Sequence, residues 1–147
     1  MVHSPIVRLF MAFCYAITFC MALYFVSMIG PHLETRFLPV VSKLTITELK
    51  ADENGQAIVD AMFTKLRQCE FIGIAWYRGR ADGEFERVPV ILLRREGDTS
   101  SPNRPVGTQR AGPWIIGMPA AEIRNNSFAQ LIHRCHPFWV STTEFYP

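Results

Sequence analysis

Residues 9–29 carry no charged side chain, and this apolar segment constrains the chain more than any other feature. A helix over these residues would be roughly 31 Å long at 1.5 Å per residue, which matches the hydrocarbon core of a bilayer. The segment is longer than the apolar core of a secretory signal peptide, and no small-x-small cleavage triplet closes it. We therefore predict a retained transmembrane helix at 9–29, with removal as a signal peptide as the alternative, and a short cytosolic tail at 1–8.

Three small residues share one face of this predicted helix. Ala12, Ala16 and Cys20 follow one another at a spacing of four, which lets two membrane helices approach closely. This spacing suggests packing against a second copy of the chain or against another membrane protein. The alternative is that these residues are simply small groups compatible with a lipid-facing helix.

The orientation of the span is predicted from cysteines rather than from flanking charge. Arg8 on one side and Arg36 and Lys43 on the other give no clear bias under the positive-inside rule. The rest of the chain contains only Cys69 and Cys135, an even number that is typical of one disulfide in an oxidising compartment. Such a bridge would close a loop of about 67 residues and stabilise the fold by roughly 4 kcal/mol. We therefore predict a cytosolic amino terminus and a periplasmic or extracellular carboxyl-terminal domain, with two unrelated buried thiols as the alternative.

One domain of ordinary size follows the predicted span. Residues 30–39, with two prolines and mixed charge, are expected to form a stalk, and residues 40–147 are long enough for a single core. The net charge of +2 is spread along the chain without a block of like charges. Nucleic acid is therefore not an expected partner.

Most of this domain has the periodicity of β-strands. Alternating, β-branched and aromatic patterns predict six strands. Pro89, within the strand predicted at 85–93, favours an edge position or a bulge. A turn is expected at 52–55, and the glycines and prolines of 94–113 predict a long loop. The predicted strands are 41–49, 71–77, 85–93, 114–118, 128–136 and 138–145.

The segment 57–68 fits two patterns. Ile58, Met62 and Leu66 would lie on one stripe of an amphipathic helix, but the same residues fit an alternating strand. We favour the strand, because it would cross a sandwich and bring Cys69 beside the next strand. The class predicted is mainly β: an amino-terminal transmembrane helix followed by an antiparallel β-sandwich.

The order of Cys69, Trp76 and Cys135 resembles that of immunoglobulin-like sandwich domains. The resemblance implies two packed antiparallel sheets with a buried tryptophan. The spacing from Cys69 to Trp76 is shorter than in antibody-type domains, and His133 stands where the tyrosine of the usual corner motif would be. Together with the single amino-terminal span, the segments 67–71 and 133–137 also resemble small membrane-anchored proteins of phages, prophages and the bacterial envelope.

No catalytic or cofactor signature is found, and no cofactor is expected. A tetrahedral metal site from Cys69, His133, Cys135 and His136 is a minor alternative, because His136 would face the opposite side of a strand from the other two neighbours. No serine has a nucleophile-elbow context, and the histidines have no acidic partner nearby in sequence. The chain is therefore expected not to be an enzyme, although a site assembled on folding, at the membrane surface, remains an alternative.

The predicted loop and the aromatic carboxyl terminus are the candidate contact surface. Arginine and tryptophan are the residue types enriched where proteins hold partners. The candidate partner-binding residues are Arg104, Arg110, Trp114, Trp139 and Tyr146. The function expected is a membrane-anchored binding or accessory subunit with an envelope or membrane protein partner, including a second copy of itself. An accessory role in phage lysis or superinfection exclusion is the second possibility.

Overall fold

The computed structural model describes residues 4–94 and 101–145, and it begins with one long helix. Helix α1 (Pro5–Phe37) is apolar and long enough to span a membrane by length and composition. It continues through most of the predicted stalk, with Pro31 inside it. The candidate packing residues Ala12, Ala16 and Cys20 all lie on this helix and are exposed, so the structure leaves their predicted pairing open.

Two four-stranded antiparallel sheets follow α1, so the predicted fold class is confirmed. One sheet has the order β1-β2-β6-β5 and the other the order β4-β3-β7-β8. These orders equal the A-B-E-D and C′-C-F-G orders of immunoglobulin-type sandwiches. The elements are β1 (Thr45–Ala51), β2 (Gln56–Lys65), β3 (Glu70–Gly79), β4 (Phe85–Val88), β5 (Val90–Leu92), β6 (Gly107–Pro119), α2 (Ala120–Ile123), β7 (Ser127–Arg134) and β8 (Ser141–Phe145).

The ambiguous segment 57–68 is mostly strand, as favoured from the sequence. Strand β2 alternates, with Ala57, Val59 and Ala61 buried between the sheets. The same alternation continues through Phe63 to Lys65, so an inward position at the end of the strand carries a lysine. The interior of the sandwich therefore contains a basic side chain at this end of β2.

Trp76 lies at the centre of the core, on the strand where immunoglobulin-type domains place their buried tryptophan. Its ring contacts those of Trp114 and Phe145 edge to face, at centroid distances of 6.4 and 6.2 Å. Its indole N–H donates to Ser127 Oγ at 2.9 Å, which satisfies the one polar group of a fully buried side chain.

The predicted strand at 85–93 is wrong as a single element. Residues 85–88 pair with β3 as the expected hairpin arm, whereas residues 90–92 pair with β6 in the other sheet. Pro89 lies between them and has no N–H for a ladder, so the chain leaves one sheet edge there and joins the edge of the other. The carbonyl oxygen of Pro89 accepts a hydrogen bond from Gly117 N at 2.9 Å.

The predicted loop at 94–113 is too long, because β6 already begins at Gly107. Residues 107–111 pair with 61–65 of β2, and a register shift then accommodates Gly112 and the cis peptide before Pro113. Gly112 has a φ of +94°, and a Cβ there would lie 2.5 Å from Val59 O. A glycine and a proline therefore form a bulge inside a long strand instead of ending it.

Three other predicted boundaries differ from the structure. The strand predicted at 41–49 begins at Thr45, although Val41 forms an isolated bridge with Lys65. The strand predicted at 128–136 ends at Arg134, and the one predicted at 138–145 begins only at Ser141. Between these two strands, His136 and Trp139 instead contact Glu34 near the end of α1, and these contacts compete with strand pairing.

Candidate functional site

A buried glutamate joins helix α1 to the sandwich. Glu34 lies on the last turns of α1, beyond the apolar segment, and is 7% exposed. Arg67 Nη1 donates to its Oε1 at 2.8 Å, and Trp139 Nε1 donates to its Oε2 at 2.7 Å. The Nε2 atom of His136 lies 3.1 Å from the same Oε2. We call these four residues the Glu34 junction.

Two opposing effects set the charge state of Glu34. Burial raises the pKa of its carboxyl group, but its hydrogen bonds, that of Arg67 foremost, lower the pKa to about 2. The carboxylate is therefore ionised at neutral pH. Arg67 Nη1 also donates to the carbonyl oxygen of Leu38 at 2.8 Å, so one guanidinium binds both a side chain and the carboxyl-terminal backbone of the helix.

Gly30 of α1 also packs closely against the domain beside the Glu34 junction. Gly30 directly follows the apolar segment, and a Cβ at this position would lie 2.6 Å from the ring of Trp139. The neighbouring Phe138 is 82% exposed. The base of the sandwich therefore presents aromatic side chains next to the end of the apolar helix, where tryptophan is enriched in membrane proteins.

The predicted disulfide between Cys69 and Cys135 is present, with the Cα atoms 4.5 Å apart. It lies directly beyond the pair Glu70 and Arg134, so it joins neighbouring strands of one sheet rather than the two sheets. In this respect it differs from the bridge of antibody domains. Because Arg67 and His136 are close to it in sequence, the bridge holds together the two loops that contact Glu34.

The alternative metal site is not assembled. The two cysteines are bonded to each other, His136 contacts Glu34, and His133 points into the core at 3% exposure. Among residues 4–94 and 101–145, no group of three or more potential ligands is close enough to hold an ion.

A cavity of about 300 Å³ lies between the two sheets at the end of the sandwich that faces α1. We call it the basic cavity, because its lining carries five basic side chains and, among the described residues, no carboxylate. The basic side chains are Lys65, Arg94, Arg104, Arg110 and His133, and the apolar walls include Phe63, Phe71, Leu92, Trp114 and Leu131.

Lys65 and His133 are the buried members of this lining. Lys65 is 2% exposed, and its Nζ donates to the carbonyl oxygen of Cys69 at 2.8 Å. Burial lowers the pKa of Lys65. Burial, and next the nearby charge of Lys65, lower the pKa of His133 to about 4, so its imidazole is neutral at pH 7.

The structure brings together three of the five candidate partner-binding residues. Arg104, Arg110 and Trp114 all line the basic cavity, Arg104 half-buried, Arg110 exposed and Trp114 7% exposed. Trp139 lies in the Glu34 junction instead, and Tyr146 falls outside the described residues.

Sequence reasoning missed Lys65 and Glu34. Extending the alternation of Ala57, Val59 and Ala61 by two more steps would have placed Lys65 inside. Glu34 had no comparable signal, since its partners are 33 to 105 residues away in the chain.

Comparison with protein-family models, curated proteins and solved structures finds no match to this chain.

Proposed function

We propose that this protein is a membrane-anchored, non-enzymatic binding or accessory subunit. In this proposal α1 spans the membrane, and the sandwich lies on its extracytosolic face, where it binds an envelope or membrane protein. The anchor contributes by raising the effective concentration of the domain near other proteins of the same membrane.

The observation that carries the proposal is the Glu34 junction. A helix that served only as a tether would need no fixed contact with the domain behind it. Here an ionised, buried carboxylate of α1 is bound by Arg67 and Trp139 and contacted by His136. Such a junction sets the height and orientation of the sandwich relative to the end of the apolar segment, which suits a domain that meets a partner at the membrane surface.

The disulfide supports the proposed orientation. Bridges such as Cys69–Cys135 persist in oxidising compartments and are rare in the cytosol of most organisms. The proposed topology therefore has residues 1–8 in the cytosol and residues 40–147 in the periplasm or outside the cell.

The proposed contact surface is the entrance of the basic cavity, with Arg110 exposed and Arg104 half-buried beside Trp114. An acidic surface on the partner would complement it electrostatically.

Capture in mild detergent tests the proposal. The full chain, purified from its native membrane, is expected to retain a stoichiometric partner that mass spectrometry identifies. Replacing Arg104 and Arg110 with alanine should reduce capture and leave most of the thermal stability intact, because ion pairs near the surface contribute only up to about 1 kcal/mol each to folding.

The matched control replaces Arg87 and Arg124, two exposed arginines outside the cavity lining. Equal loss of capture in the control would move the contact surface elsewhere. Absence of any stoichiometric partner from the native membrane would refute the accessory role.

A further inference from the structure

Lys65 is a buried basic side chain with an incomplete set of hydrogen-bond partners. An ammonium group has three N–H donors, and one of them is used by the carbonyl oxygen of Cys69. In the part of the chain that the structure describes, no carboxylate forms an ion pair with it. An uncompensated buried charge is costly, and proteins normally pair it with an anion.

His133 is the second unsatisfied group in the same lining. Its Nδ1 is fully buried and has no hydrogen-bond partner among the described residues. Buried polar atoms without a partner are few in folded proteins, and each calls for a physical explanation. Lys65 and His133 line one cavity, so a single bound group with oxygen acceptors would satisfy both.

The rest of the lining limits the size and polarity of that group. Phe63, Phe71 and Trp114 form apolar walls, and the cavity volume is about 300 Å³. This volume is at the lower end of the roughly 300–1,000 Å³ range of small-molecule pockets, so the cavity suits a small ligand. Among the described residues, the exposed arginines Arg94 and Arg110 line the entrance, and their charge would attract an anion.

We propose that the basic cavity binds a small anionic amphiphile, with a carboxylate or phosphate head against Lys65 and His133 and a short apolar tail along Phe63, Phe71 and Trp114. This inference rests on the proposed binding function, since it names a ligand class for the same face of the domain. The neutral imidazole donates one hydrogen bond to the head, and the ammonium supplies the opposite charge.

Calorimetric titration of the full chain in phosphatidylcholine nanodiscs tests the inference, with empty nanodiscs as the blank. Octanoate and octyl phosphate are the anionic probes, and octanol and octyltrimethylammonium carry similar tails without the negative charge. We expect saturable binding of at least one anionic probe, at least about tenfold tighter than that of octanol, as one charge-assisted hydrogen bond predicts. Which anionic probe binds more tightly distinguishes a carboxylate head from a phosphate head. Equal affinity for octanol, or no saturable heat above the blank with either anionic probe, would overturn the proposal.

Two lysine variants then locate the binding site. Lys65→Met keeps a long apolar side chain and should weaken binding of the anionic probe about tenfold or more. Lys43→Met removes an exposed lysine outside the cavity lining and should leave the affinity unchanged. Equal effects of both variants would assign the binding to the surface rather than to the cavity. Since the comparison of probes uses only the wild type, the proposal stays testable even where Lys65→Met does not fold.

The outcome is separable from the proposed function. If the wild type captures a partner but binds neither anionic probe, the ligand class is refuted and the accessory role stands. Probe binding without any partner would do the reverse.

Discussion

Replacing Glu34 with glutamine tests whether α1 and the sandwich form one unit. The variant keeps the shape of the side chain but removes the charge that Arg67 Nη1 meets at 2.8 Å. Hydrogen bonds to charged groups contribute about 1.5–3 kcal/mol each, and breaking a buried pair costs about 3–5 kcal/mol. Arg67 is 33% exposed, so solvent screens part of this energy, and glutamine still accepts one hydrogen bond. We expect a loss of about 2–3 kcal/mol in the free energy of unfolding.

Thermal unfolding of the full chain in detergent, followed by tryptophan fluorescence, measures this loss. A change of 1 kcal/mol shifts the Tm of a domain of this size by about 3–5 °C, so a fall of roughly 6–15 °C is expected. Hydrogen exchange at residues 34–38 should accelerate as well, because these residues lose their attachment to the domain. The control is Glu53→Gln, in the exposed turn after β1, which should change stability by less than about 0.5 kcal/mol. If Glu34→Gln unfolds at the same temperature as this control, the Glu34 junction does not hold the helix to the domain.

Three further predictions concern single groups. Acidification should destabilise the domain between pH 6.5 and about 4: His133 has a folded pKa of about 4 against 6.5 as a free group, so the unfolded chain binds more protons in that window. Tm measured across this range should fall less in His133→Gln than in the wild type, and equal slopes would contradict the buried neutral imidazole. Gly30→Val should displace Trp139 and shift its fluorescence, because the ring lies where the new Cβ would be. A spectrum unchanged from that of the wild type would contradict the close contact. Reduction of the Cys69–Cys135 disulfide should lower the free energy of unfolding by a few kcal/mol. It should also expose Trp139 to quenchers, because the bridge holds the loops that contact Glu34. Free thiols in the unreduced, unfolded protein would show that the bridge is absent.

The parts of the fold that the sequence predicted are those set by local periodicity. The uncharged segment 9–29 predicted its helix, and the alternation in 57–65 predicted β2 because one face of that strand is buried. Cys69 and Cys135 predicted the bridge by their number alone, and the strands around them then place the two cysteines side by side.

The parts that were missed depend on contacts between distant residues. Gly107 belongs to a strand because residues 107–111 pair with residues 61–65 of β2, and this pairing outweighs the local preference of glycine and proline for loops. Residues 138–139 were predicted as strand by their aromatic content, but Trp139 instead binds Glu34, 105 residues away. Lys65 lies inside the sandwich, although lysine is almost always found at the surface. This exception identifies the basic cavity.

In the proposed topology, α1 crosses the membrane and the sandwich lies on the extracytosolic face. The most direct test of this topology is labelling with a membrane-impermeant maleimide, in a background with Cys14 and Cys20 replaced by alanine. Lys50→Cys places a thiol on the exposed part of β1, and Ser4→Cys places one before the helix. We expect intact cells to label the thiol at position 50, whereas the thiol at position 4 should be labelled only after lysis. Labelling at position 4 in intact cells, with position 50 protected until lysis, would contradict this topology.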